Sequence, residues 1–116
     1  MAVLVGKPAP DFTAPAVLGD NSIDPKFNLR KYLQGSYGVL FFYPLDFTFV
    51  CPSEILAFEK RAGEFSKRNT KVVAISVDSH FTHLAWKSTP VNKGGLGMVR
   101  FPMVADMKKE IAKSYG

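Results

Sequence analysis

The sequence has one cysteine among 116 residues, and that scarcity removes whole classes of chemistry. An intrachain disulfide is excluded, as is a zinc cluster built on cysteines alone, so any sulfur chemistry belongs to one thiol or to a pair formed between chains. Long apolar runs are missing too. None reaches the ~18 residues of a membrane helix. The start, MAVLVGKPAP, lacks the basic segment and long apolar stretch of a secretory leader. The expectation is a cytoplasmic protein with no membrane partner. Fifteen Lys and Arg against ten Asp and Glu leave a formal charge of +5, yet no long basic tract forms. Nucleic-acid binding would call for a basic stripe interleaved with exposed aromatics, whereas Phe41, Phe42, Phe58 and Phe65 sit at core-like spacings. No nucleic-acid partner is expected, and there are no repeats or low-complexity tracts.

What is present suits one globular domain over residues 1–116, with 47% apolar and 22% charged residues. Residues 1–36, with Pro8, Pro10, Pro15 and Pro25, read as an irregular lead-in of short strands and turns. Val39–Tyr43 is a continuous apolar run between Gly38 and Pro44, suited to a core strand buried on both faces. From Pro52, the residues Ile55, Phe58, Ala62 and Phe65 recur at helical spacing with charged residues between them. Lys71–Val77 is a second β-branched run. Asp78 and Ser79 then offer caps for a helix that must stop before Pro90. After the glycine-rich stretch 91–98, Phe101–Val104 predicts a third strand. Asp106 can cap a last helix bearing Met107, Ile111 and Tyr115 on one face. This alternation argues for a three-layer α/β fold with a mostly parallel sheet.

Chemistry concentrates where the first core strand passes into the first long helix. Pro52 suits the first helical position, which puts Cys51 at or beside the N-cap. There the unpaired backbone N–H groups and the positive end of the helix dipole favour a thiolate over the thiol. Thr48 precedes Cys51 by three residues, so in a helical turn its hydroxyl shares a face with the sulfur. A lone cysteine is most often a small buried hydrophobe. An apolar strand, a proline, a short loop, a threonine and then a cysteine at a helix start form a combination that a core cysteine does not require.

The pattern Pro44, Thr48, Cys51, followed by Pro52 and Glu54, resembles the active-site signature of peroxiredoxins. FFYPLDFTFVCPSEILAF at 41–58 is similar to the typical two-cysteine class that includes the peroxidase component of bacterial alkyl hydroperoxide reductase. GKPAPDF at 6–12, VAISVDS at 73–79, HLAWKSTP at 83–90 and GGLG at 94–97 also resemble that class. The resemblance implies a thioredoxin-like fold. It makes Cys51 the peroxidatic cysteine, Thr48 a hydrogen-bond partner of peroxide and sulfur, Pro44 a cover that excludes water, and Glu54 a support that orients an arginine. It covers roughly the first three fifths of a family member, so the strands after the last helix and the resolving-cysteine region are expected to be absent. The same absence would leave the strand around Phe41 and Phe42 as an open edge.

The implied activity is thiol-dependent reduction of hydrogen peroxide and organic hydroperoxides through a Cys51 sulfenic acid, with no cofactor and no metal. Its partners would be a thiol reductant, such as thioredoxin or a dedicated reductase, and further copies of the chain in dimers or a decameric ring. A redox-regulated chaperone or peroxide-signalling oligomer would use the same cysteine. A cysteine hydrolase would need His80 or His83, with Asp78, as its base. The simpler reading of these two is a pair of partly exposed histidines. Arg100 does not match the family's arginine. Phe81 and Trp86 read as packing residues, and Gly94–Gly97 as a loop that needs flexibility.

Overall fold

The computed structural model describes residues 4–44, 46, 51–93, 95–97 and 99–116, with the backbone alone at Cys51 and Pro52. The elements in chain order are β1 (Thr13–Val17), β2 (Ile23–Asn28), α1 (Leu29–Leu33), β3 (Tyr37–Phe42), α2 (Cys51–Lys60), α3 (Ala62–Lys67), β4 (Thr70–Ser76), α4 (His80–Ser88), β5 (Met103–Ala105) and α5 (Glu110–Ser114).

The five strands form one sheet in the order β2-β1-β5-β4-β3. Strands β3, β4 and β5 are parallel, with Tyr37 opposite Thr70, Phe42 opposite Ile75, and Ala74 opposite Met103. Strand β1 runs antiparallel to both β2 and β5. The sheet is therefore mixed rather than mostly parallel, because the proline-rich lead-in contributes two strands of its own. Pro15 has no N–H to give a ladder, and the β1–β2 register shifts across it, so that Pro15 faces both Pro25 and Lys26.

Alternation along β4 divides the core. Val72 and Ala74 face a cluster with Ile55 of α2, Trp86 of α4, Leu96 and Met103. Val73 and Ile75 face a second cluster with Phe27, Leu29, Val104 and Ile111. Helices thus cover both faces, giving the expected three layers. Fully buried side chains such as Ile55 and Ile75 contribute about 2 kcal/mol each by leaving water.

Three local expectations change. Strand β3 lies at the sheet edge, with Phe42 44% exposed, so its apolar run is not buried on both faces. The helix after Cys51 breaks at Arg61, where the backbone leaves helical geometry and α3 begins. Asp106 does cap the last helix, but from upstream. Its carboxylate accepts from the backbone N–H groups of Ile111 and Ala112 at 3.1 and 2.9 Å, while Met107 lies outside α5 and 64% exposed. The helix after β4 forms as predicted. Ser79 caps it by accepting from the Thr82 N–H, and it stops at Ser88.

Candidate active site

The sequence places its chemistry between the end of β3 and the start of α2, at the carboxyl end of a parallel strand. Cys51 is the first residue of α2, so the helix begins one residue before Pro52. Thr48 lies outside the described residues. Two apolar contacts hold α2 in place. Ile55 is fully buried, and the Phe58 ring stacks on Phe41 of β3 with centroids 4.3 Å apart and planes within 5°. The helix and its dipole are thereby fixed against the strand that leads into the loop.

Glu54 is exposed on the first turn of α2. Arg100 is paired elsewhere. Its Nε donates to Glu59 Oε1 at 2.6 Å and its backbone N–H to Glu59 Oε2 at 2.9 Å, which engages it near the far end of α2. Pro44 is exposed and lines a cavity of about 300 Å³ beside the carboxyl ends of β3 and β4, together with Phe42, Tyr43, Ser76 and Val77. A larger cavity of about 550 Å³ lies between β1 and the start of α5 and touches none of the candidate residues.

Inside the same loop lies a polar cluster that the sequence reading missed. Asp46 is buried. Its Oδ1 accepts from the Tyr43 hydroxyl at 2.6 Å, and its Oδ2 lies 2.7 Å from His83 Nδ1. His83 Nε2 donates to the carbonyl oxygen of Val104 in β5 at 3.0 Å. The short Asp46–His83 contact therefore holds one proton between carboxylate and imidazole, with both side chains fully buried. Asp46 also donates its backbone N–H to Asp78 Oδ2 at 2.7 Å, and Asp78 accepts in turn from the Ser76 hydroxyl. Burial, together with the Asp46 carboxylate, pushes the Tyr43 phenol far above its ordinary value, so it remains a donor. Asp46 and Tyr43 carried one legible signal, polar groups set in an otherwise apolar strand and loop.

These contacts correct the reading of the histidines. His83 is wholly buried rather than partly exposed, and both its ring nitrogens are committed, which leaves none to act as a hydrolase base. His80 is half-buried, with its ring 4.1 Å from that of Phe81. Among the described residues no group of three His, Cys, Asp or Glu side chains could hold a metal ion. Trp86 is a core residue as predicted, whereas Phe81 is 68% exposed and does not pack inside. The glycine loop is pinned rather than loose. Leu96 donates to the Trp86 carbonyl and Gly97 to that of Thr89, and Leu96 is fully buried. A side chain at Gly95 would strike the Thr89 carbonyl, and Gly97 has a positive φ of 69°.

The family model described as AhpC/TSA family matches residues 5–116. Alkyl hydroperoxide reductase C of Helicobacter pylori is 55% identical over 113 residues, covering 97% of this chain and 57% of that protein. Peroxiredoxin-1 of Gallus gallus is 56% identical over 112 residues, covering 97% and 55%. The reduced 2-Cys peroxiredoxin of Plasmodium vivax superposes with a TM-score of 0.92 at 50% identity, covering 98% of this chain and 58% of that one. The chain thus spans a little over half the length of the curated relatives it matches.

Proposed function

Because the chain belongs to the AhpC/TSA family and has its thioredoxin-like α/β fold, we propose that Cys51 is the nucleophile of a thiol-dependent peroxidase acting on hydrogen peroxide and organic hydroperoxides. The observation that carries this reading is the position of Cys51 as the first residue of a helix docked at the carboxyl end of β3. A thiolate there is stabilised by the helix end.

In the proposed step the thiolate attacks one peroxide oxygen. An S–O bond forms, the O–O bond breaks, and the departing oxygen takes a proton to leave as water or an alcohol. Sulfur is oxidised to the sulfenic acid as the peroxide is reduced. An external thiol then attacks that sulfur and releases water, and a second thiol frees Cys51 and leaves as half of a disulfide. Thioredoxin or a dedicated reductase has the required chemistry. Thr48 donates to the peroxide and Pro44 shields the thiolate from water. Glu54 orients an arginine toward it.

Self-association is part of the same proposal. The β3 edge with half-exposed Phe42, and Phe81 exposed on α4, are surfaces that favour a second copy in dimers or rings. Light scattering after size exclusion measures this, and a monodisperse monomer would contradict it.

Stopped-flow measurement of single-turnover peroxide consumption tests the chemistry. Cys51→Ser is expected to abolish the reaction, because a hydroxyl is a far weaker nucleophile than a thiolate at neutral pH. A serine variant as fast as the parent refutes the assignment. Thr48→Val, which keeps the shape and removes one donor, is expected to cost about 3 kcal/mol in the barrier.

A further inference from the structure

We propose that Asp46, His83 and Tyr43 form a buried lock that sets the position of the loop bearing Thr48 and Cys51, so that these three act as positioning residues for peroxide attack. The inference rests on the functional reading above and names the part of the molecule that holds its geometry.

Asp46 stands two residues before Thr48 and five before Cys51. Its carboxylate and its backbone N–H are tied to different parts of the framework. The carboxylate takes the Tyr43 hydroxyl at the end of β3 and His83 from α4, while the N–H goes to Asp78 in the turn between β4 and α4. His83 relays the anchor to β5 through the Val104 carbonyl. At the other end of the same segment, Cys51 is fixed as the first residue of α2, which Ile55 and Phe58 dock against the sheet. Only residues 47–50 lie between the two anchors.

The chemistry of the cluster argues for more than stability. A carboxylate and an imidazole taken completely out of water recover their desolvation only with good geometry, and well-packed apolar residues of similar volume would serve the fold as well or better. What an apolar substitute cannot do is fix direction, since hydrogen bonds constrain angle as well as distance. A reaction that needs sulfur, two peroxide oxygens and a donor in line depends on such direction, and a misplacement of about 1 Å costs roughly 100-fold in rate. Simple alkylation of the thiolate by iodoacetamide has no such requirement.

The experiment measures both reactions in the native, full-length protein, at a temperature where circular dichroism shows each variant folded. Asp46→Ala is expected to slow peroxide consumption about 100-fold, while alkylation of Cys51 stays within about twofold of the parent. Asp46→Asn is expected to restore most of the peroxide rate. Its amide can accept from Tyr43 and donate to a neutral His83, which keeps both bonds with the proton count rebalanced. Tyr43→Phe, which deletes one hydroxyl and keeps the ring, is expected to cost about fivefold, and it carries the test should Asp46→Ala fail to fold. Unchanged peroxide rates in folded Asp46→Ala and Tyr43→Phe overturn the lock and leave the functional reading standing. Equal losses of peroxide reaction and alkylation overturn it too, because they report access or thiolate content rather than alignment. Asp46→Asn as slow as Asp46→Ala likewise overturns it. A parent that does not consume peroxide overturns both readings.

Discussion

Helix α4 buries two basic side chains one turn apart, His83 and Lys87, and the two ends meet different surroundings. His83 faces a carboxylate from the β3–α2 loop and a carbonyl from β5. Lys87 is 2% exposed, and its Nζ donates to the Leu18 carbonyl at 2.7 Å. Burial pushes the Lys87 ammonium down to about 8, with Asp20 and Glu59 opposing only part of that shift. Two groups on one helix thus leave water with different results. The one that meets a countercharge ties a distant loop to the framework. The other remains a group whose charge the fold tolerates poorly, and it makes stability depend on pH.

The largest effect expected from breaking this contrast is on the paired side. Asp46→Ala leaves His83 buried without its countercharge, at a cost of about 3 to 5 kcal/mol in urea unfolding at neutral pH. A loss no larger than that of an exposed carboxylate would show that the pair is not buried as described. Gly95→Ala comes next. It forces the Thr89 carbonyl away and loosens the Lys87 end of α4, for an expected loss of about 2 kcal/mol by the same assay.

Lys87→Met is expected to change stability at neutral pH least, and its diagnostic is a slope. Between about pH 8 and pH 10 the unfolded chain keeps a proton on Lys87, whose ordinary value is 10.5, while the folded chain has released it. The unfolded state therefore binds more protons, so parental stability rises with pH across that window. The variant should lose this rise, and an unchanged slope would place the titration elsewhere. Tyr43 acts with the opposite sign and only above its ordinary value of 10, where stability falls as pH rises because the folded phenol holds its proton after the unfolded one has lost it.

How far the sequence went follows from which signals are local. The apolar runs VLFFY and KVVAISV sit in β3 and in β4 with its following turn because β-branched and aromatic runs between breakers need no distant information. Cys51 at a helix start was readable from Pro52 and the helical spacing after it, and Ser79 was readable as a cap. The direction of the lead-in was not. Pro15 and Pro25 argue against regular strands locally, yet a register shift accommodates them in a pair of antiparallel strands. Nothing near His83 in the chain marks it as buried, since its partner Asp46 is 37 residues away and the pairing exists only once β3, β4 and α4 have packed. Lys87 is hidden for the same reason, because the Leu18 carbonyl that receives it is 69 residues away. The position of Cys51 at a helix start was therefore legible in sequence, while the contacts of Asp46, His83 and Lys87 depend on tertiary packing.

The most direct measurement of the central claim is the fate of Cys51 after one equivalent of hydrogen peroxide, in the presence of dimedone, which adds to sulfenic acids. The account predicts a single dimedone adduct on the peptide containing Cys51, lost in Cys51→Ser. Unmodified Cys51, with the peroxide oxygen found on methionine instead, would contradict it.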